Sequence, residues 1–136
     1  MPERLGFEVQ LSAPYQTAID RARVALKAEG FGVLTTIDVK ATLKEKLDEE
    51  FRPYVILGAC NPVLAHRALN HSAEVGLMLP CNVTVEALPE GGSLVRIGDP
   101  TVLMKVGNLG ADPVVREIAD EAHARLERVA AALARA

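Results

Sequence analysis

The spacing of apolar residues changes repeatedly along the chain, and these changes are the strongest constraint on its fold. Residues 5–11 alternate apolar and polar side chains, which is the period of a half-buried strand. Apolar residues then recur every three or four positions from Tyr15 to Leu26, the period of an amphipathic helix, with Ser12 placed to cap it and Gly30 to end it. A chain that switches between these two periods is expected to fold into a sheet covered by helices.

The middle of the chain repeats this alternation twice. The β-branched, Thr-rich residues 33–39 predict a strand, and a charged helix follows over residues 40–51. The apolar stripe of that helix consists of Val39, Leu43, Leu47 and Phe51. Residues 54–60 are apolar on both faces, which is typical of a central strand covered on at least one side. Asn61 as a cap and Pro62 at the first helical position predict a helix that runs to about Asn70.

The last third of the chain predicts consecutive strands and a long closing helix. Residues 77–86 alternate as one long strand, in which Pro80 indicates an edge position or a bulge. A tight turn at residues 90–93 leads into a strand at 94–97 that pairs back as a hairpin. A turn at residues 99–100 precedes a short strand or irregular edge at 102–106. Asp112 and Pro113 open the final helix, whose apolar stripe is expected to face the sheet.

The order of elements is therefore β-α-β-α-β-α-β-β-β-α, which indicates an α+β fold with a mixed or mostly antiparallel sheet packed by helices. A length of 136 residues, 49% of them hydrophobic, predicts a single globular domain over residues 1–136. The net charge of −3 argues against a nucleic-acid-binding protein. No apolar run approaches the roughly 18–20 residues that cross a bilayer, so no membrane partner is expected.

The two cysteines are too few for a disulfide framework and indicate the reducing cytoplasm. The Ala- and Arg-rich composition is compatible with a thermophile. Common nucleotide-binding, hydrolase and zinc-protease motifs are missing, so the sequence identifies no catalytic residue and no cofactor. Turns explain the isolated glycines, and solvated helix faces explain most of the acidic residues.

Cys60, Asn61 and Pro62 form the segment in which chemistry is most expected. A cysteine at the end of a strand and just before a helix feels the positive end of that helix, which favours the reactive thiolate. The competing interpretation is structural: Asn61 caps the helix, Pro62 starts it and Cys60 fills a small space in the core. Cys81 lies on the apolar side of its strand and is interpreted first as a core thiol.

The histidines and the basic residues of the second helix suggest two further kinds of site. His66 and His71 raise the possibility of a metal or haem site with the two cysteines. However, a spacing of five residues on a helix makes the two imidazoles point in different directions. Lysines 40, 44 and 46 with Arg52 allow an anion site, although neighbouring carboxylates favour solvated ion pairs. His123 is given no role.

Three segments together resemble the domain-of-unknown-function family numbered 302. They are residues 37–46, residues 54–65, which contain Cys-Asn-Pro, and residues 76–83, which contain Leu-Pro-Cys. The resemblance covers about residues 30–106 and implies a small α+β fold and a homodimer, as in a compact thermophilic bacterial member. It brings no catalytic residue. The positions that match the pattern are Lys40, Tyr54, Cys60, Asn61, Pro62, Pro80 and Cys81.

These observations lead to one main hypothesis, an uncharacterised cytoplasmic homodimer that binds a small molecule near the Cys-Asn-Pro segment. The candidate ligand-binding residues are Lys40, Tyr54, Cys60, Asn61, Pro62, Cys81 and Asn82. Three competing hypotheses are a thiol-dependent enzyme or redox protein that uses Cys60 with Cys81, a metal or haem binder through Cys60, Cys81 and His66, and a protein-interaction module.

Overall fold

The computed structural model describes residues 4–135, which form one five-stranded sheet and the helices that pack on it. The strands and helices are β1 (Gly6–Leu11), α1 (Tyr15–Ala28), β2 (Gly32–Asp38), α2 (Val39–Leu47), β3 (Tyr54–Cys60), α3 (Pro62–His71), β4 (Cys81–Ala87), β5 (Ser93–Gly98), α4 (Pro100–Leu103) and α5 (Pro113–Ala134). Two 3₁₀ helices span Ala73–Met78 and Gly107–Ala111. The α+β prediction is confirmed.

Every neighbouring pair of strands in the sheet is antiparallel, in the order β1-β5-β4-β3-β2. The register sets Val9 opposite Val95, Val95 opposite Val85 and Val85 opposite Val55, so that one buried row crosses four strands. Since side chains alternate along a strand, the apolar residues of the other rows fall on this same face. Helices α1 and α5 pack against it and against each other, and α3 packs against α5.

The opposite face of the sheet is polar and partly exposed. Its central row runs Glu8, Arg96, Thr84, Ile56 and Ile37 from one edge of the sheet to the other. Glu8 and Ile37 are exposed, and the other three side chains are half-buried. The alternation predicted for the hairpin strands therefore separates an apolar core from a second, hydrated surface.

The predicted strand at residues 102–106 is wrong. Residues 100–103 form α4 instead, because the Asp99 carboxylate accepts the Thr101 N–H at 2.9 Å and Pro100 occupies the first turn. The Asp-Pro pair starts a helix here, as it does at Asp112 and Pro113. Two strands, not three, therefore separate α3 from the final helices.

The structure also corrects several local predictions. The strand expected from residue 77 begins only at Cys81, after a 3₁₀ helix and a cis Leu79–Pro80 peptide. Pro80 marks no edge, because β4 is the middle strand and Pro80 precedes its ladder. Helix α2 ends at Leu47, where Asp48 adopts a left-handed conformation (φ 54°), and none of its side chains is buried. Ser12 does not cap α1, whose cap position is Pro14.

Candidate functional site

The two cysteines meet where two neighbouring strands change into other elements. Cys60 ends β3, Cys81 begins β4, and the register pairs Cys81 with Ala59, the residue before Cys60. The chain turns into α3 directly after Cys60, because the Asn61 side-chain oxygen accepts the N–H of Leu64 at 3.2 Å and Pro62 stands in the first turn. The antiparallel register thus unites two cysteines that are far apart in sequence.

Both cysteines and Asn61 line one apolar cavity. It measures about 40 Å³, space for about three water molecules. The rest of its wall is apolar and comes from α3, α4, α5, the end of β3, the turn before β2 and the residues that precede β4. The apolar lining includes Phe31, Leu64, Leu79, Met104, Ile118 and Ala119. The cavity offers a surface for an apolar group and almost no polar anchor.

A larger cleft of about 250 Å³ lies on the other side of the same wall. The cavity and the cleft share Leu79, Cys81, Pro100 and Met104. Asn82 and Gly98 extend the cleft toward the polar face of the sheet. Cys81 therefore belongs to the lining of both spaces, which adjoin at these four residues.

The Cys81 thiol is held in its neutral form. Burial raises its pKa to about 11, and the nearby Cys60 acts in the same direction, since a second negative charge beside the first is unfavourable. Because the thiolate is the nucleophile, Cys81 presents an unreactive, polarizable thiol at neutral pH. Both cysteines are free in the structure. The interpretation of Cys81 as a core thiol agrees with this environment.

A buried acidic cap fixes the outer wall of the cavity. Asp99 is 8% exposed and accepts hydrogen bonds from the backbone and hydroxyl of Thr101 at 2.9 and 2.7 Å. The imidazole Nδ1 of His123 on α5 lies 2.9 Å from both carboxylate oxygens, and its ring contacts Phe7 at 5.2 Å between centroids. Burial opposes ionisation of Asp99, yet the hydrogen bonds from His123 and Thr101 outweigh it and lower the pKa of the carboxyl.

This Asp99–His123 clamp holds α4, and with it Pro100 and Met104, against α5. The sequence patterns do not reveal it, because Asp99 fits a turn and His123 stands in the stripe of a long helix without a distinguishing neighbour. The Asp-Pro pair was the available signal for the cap. Nothing in the sequence pairs that cap with a histidine 24 residues later.

Two of the predicted binding residues lie on the polar face of the sheet or beside it. Tyr54 is half-buried there and makes an edge contact with Phe51 at 6.0 Å, and the Arg52 guanidinium lies 4.5 Å from the Phe51 ring. Lys40 lies apart from the cavity, where its ammonium group donates to the backbone oxygen of Phe51 at 2.9 Å. Asn82 connects the two regions, since it lines the cleft and the polar face.

The structure keeps His66 and Pro62 out of the cavity lining. Pro62 is exposed in the first turn of α3, and His66 is exposed and within 3.0 Å of the Asn70 amide. Within residues 4–135, no group of three or more His, Cys, Asp or Glu side chains is placed to hold a metal ion. The set Cys60, Cys81 and His66 is therefore not assembled as a ligand set.

Lys40 and Lys44 of α2 form ion pairs with nearby carboxylates. Lys44 pairs with Asp48 at 2.8 Å and Glu50 at 3.0 Å, which raises the pKa of its ammonium group. Arg52 pairs with Glu86 at 3.3 Å. The interpretation of this segment as a set of solvated ion pairs describes the contacts that form. Over the described part of the chain, no helix is both long and apolar enough to cross a membrane.

Comparisons with known proteins agree with this architecture. The model of the family described as "Domain of unknown function DUF302" matches residues 7–133. A solved structure, the uncharacterized conserved protein DUF302 from Bacillus stearothermophilus, is similar over 98% of each chain, with 35% sequence identity and a TM-score of 0.82. No curated protein shows significant similarity to the chain.

Proposed function

The chain belongs to the DUF302 family, whose description assigns no function, and we propose that it binds a small apolar molecule where Cys60 and Cys81 meet. The observation that carries this proposal is the convergence of both thiols on one apolar cavity with an adjoining cleft. Pockets for small molecules are concave and mostly apolar, and few polar groups fix the ligand. The cleft supplies the room, and the cavity accepts one end of the ligand.

The few polar groups at the cavity are either already hydrogen-bonded or uncharged, and this favours an apolar ligand. The Asn61 oxygen is already engaged by the Leu64 N–H, so the amide serves the helix. The Cys81 thiol is neutral at physiological pH and makes weak, polarizable contacts. A charged ligand would lose its hydration here without a partner to replace it.

The experiment is native mass spectrometry of the full, untagged chain, followed by the denatured mass of the same sample. Ala119→Met fills the cavity from α5, and Ala131→Met is the matched control, because residue 131 is exposed on the same helix. We expect an added mass that denaturation removes in the wild type and in Ala131→Met, and its loss in Ala119→Met. Indole, added at millimolar concentration, serves as a second probe by amide NMR. No added mass and no indole shifts at Cys81 or Met104 would contradict the proposal.

A thiol-dependent enzyme or redox protein is the second candidate. The observation that favours it is the position of two free thiols at one cavity, close enough for the charge of one to affect the other. In this function Cys60 is the nucleophile, because Cys81 is held protonated. The two free cysteines also support a reducing compartment such as the cytoplasm.

The proposal includes a homodimer formed through β2 and α2. Strand β2 is an edge of the sheet, and Leu34 and Ile37 on it are 68% and 47% exposed. Helix α2 has nine residues and no buried side chain, although helices of this length depend on packing. A second copy of the chain, related by a two-fold axis, would cover this edge and pair the mixed charges of the two α2 helices.

A further inference from the structure

A second concave surface lies on the polar face of the sheet, away from α1 and α5. It is a groove of about 680 Å³ that runs across β1, β5, β4 and the start of β3. Gly6 of β1 faces Gly98 of β5 in the register, so at this end neither strand contributes a side chain to the floor of the groove. The apolar wall of the groove at this end includes Leu103 of α4, and a Cβ at Gly98 would lie 3.0 Å from the Leu103 side chain.

Arg4, Glu8 and Arg96 line the groove, and Glu86 and Arg52 extend this chain of alternating charges beside it. Arg96 donates to Glu8 at 2.9 Å and pairs with Glu86 at 3.4 Å, and Arg52 pairs with Glu86 at 3.3 Å. Arg4 pairs with Glu8 from the exposed side. Three guanidinium groups thus meet two carboxylates, which leaves one positive charge. The Arg96 side chain is 43% exposed, so solvent and ligands reach it.

Three neutral polar groups line the groove beside Arg96. The Tyr54 hydroxyl, the Asn82 amide and the Thr84 hydroxyl line the groove, and none of them forms a hydrogen bond with another side chain or the backbone within residues 4–135. Glu86, which lies between the two arginines, is only 6% exposed. The charged groups are therefore fixed in place, while the neutral groups are available to a ligand.

We propose that this groove binds a small organic monocarboxylate. The guanidinium of Arg96 pairs with the carboxylate, since a planar fork of donors suits a planar carboxylate group. The hydroxyls of Tyr54 and Thr84 donate to the same head group. The carbon chain of the ligand lies against Leu103 at the apolar end of the groove. One uncompensated positive charge matches one carboxylate, whereas a phosphate dianion would exceed it.

This site is separate from the cavity of the two thiols. The groove and the cleft touch at Asn82, Gly98 and Leu103, but the cysteines do not line the groove. The ligands also differ, because the cavity lacks a charged group and the groove has Arg96. Each site can therefore be tested without the other.

The test is calorimetric titration of the full chain with sodium hexanoate at low ionic strength, with amide NMR to locate the ligand. We expect a Kd below about 10 mM, amide shifts at Thr84 and Arg96, and binding at least about tenfold weaker for hexanol, which lacks the charge. Added salt should weaken hexanoate binding, because the pair is exposed. Inorganic phosphate should not displace hexanoate.

Arg96→Gln should weaken hexanoate binding by about tenfold or more. Arg67→Gln is the matched control, because Arg67 also pairs with two glutamates but lies on α3 outside the groove. The double substitution Tyr54→Phe and Thr84→Val removes the hydroxyls and leaves the ion pairs intact, so it tests the site even if Arg96→Gln is unstable. Equal affinity in all variants, or no binding to the wild type, would overturn the proposal. Loss of binding in Ala119→Met instead would place hexanoate in the cavity and also overturn it.

Discussion

Removal of the Asp99 carboxylate tests whether α4 is held over the cavity by a single buried group. Asp99 accepts the backbone N–H and the hydroxyl of Thr101 and lies 2.9 Å from the His123 imidazole. In Asp99→Ala, the start of α4 loses its cap and the imidazole loses its partner. Pro100 and Met104, which follow directly, then lose the contact that holds them against α5.

The size of the effect follows from these contacts. Loss of a helix cap costs about 1 kcal/mol. A buried carboxylate that also accepts from a hydroxyl and an imidazole adds about 1.5–3 kcal/mol. We expect Asp99→Ala to reduce the free energy of unfolding by about 2–4 kcal/mol. For a chain of 136 residues, about 2.1 cal/mol/K per residue gives a decrease in Tm of about 3–4 °C per kcal/mol, hence roughly 7–14 °C.

The assay is thermal and urea denaturation at pH 7, with Asp112→Ala as the control. Asp112 caps α5 and pairs with His71 at 2.7 Å, but it is more exposed, so its loss should cost less. A double-mutant cycle of Asp99→Ala with His123→Ala isolates the contact between the two side chains. A loss below about 0.5 kcal/mol, or no coupling in the cycle, would refute the reasoning, because ordinary surface substitutions fall in that range.

The pH dependence of the free energy of unfolding tests the role of the Asp99 carboxylate independently. The hydrogen bonds lower the pKa of Asp99 in the folded protein below its ordinary value of 3.8. The ionised carboxylate therefore stabilises the fold fully above the unfolded pKa, and this contribution is lost as the pH falls through the lower, folded pKa. The difference in stability between the wild type and Asp99→Ala should shrink as the pH falls below about 4. A difference that grows on acidification would contradict the assignment.

Three further predictions concern the thiols, the dimer and the core. Among single-cysteine variants at pH 7.5, the Cys60 thiol should react faster with a disulfide reagent than the Cys81 thiol, whose pKa is about 11; equal rates would contradict its protection. Leu34→Lys should shift the proposed dimer toward monomer in analytical ultracentrifugation, and Val63→Lys, equally exposed on α3, should not. The same oligomeric state in both variants would exclude β2 as the interface. Ser93→Ala should cost about 1–3 kcal/mol in urea denaturation, because Ser93 is fully buried and donates to the Ala13 oxygen at 2.8 Å; a neutral effect would refute this contact.

The spacing of apolar residues correctly predicted the strands and helices that bury one whole face in the core. The alternation of residues 5–11 corresponds to β1, and the stripe of the last helix is buried at Val115, Ile118, Ala122, Leu126, Val129 and Leu133. These patterns succeed because one face of each element meets a continuous core. The pattern of the wholly apolar segment before Asn61 likewise predicted β3, which lies inside the sheet.

The apolar spacing of residues 99–106 does not by itself distinguish a strand from a helix. A short run of apolar residues fits a strand and a buried helix turn equally well. The Asp99–Pro100 pair favours the helix through local hydrogen bonds to Thr101, and His123 of a helix distant in sequence adds a contact to the same carboxylate. The shared cavity of Cys60 and Cys81 likewise depends on residues distant in sequence, since it follows from the β3–β4 register and not from either Cys-Asn pair.

The apolar stripe of α2 predicted a helix but not its burial. Its apolar spacing is that of an amphipathic helix, yet Leu47 is 64% exposed and Leu43 is half-buried. An apolar stripe indicates that one face avoids water, but it does not say whether the same chain provides the cover. Strand β2, which precedes α2 directly and is an edge of the sheet, also exposes Leu34 and Ile37, so both elements carry uncovered apolar side chains. In the proposed dimer a second copy of the chain buries these apolar side chains. The stripe of α2 would then be removed from water by the partner, just as the stripe of α5 is removed from water by the core of its own chain.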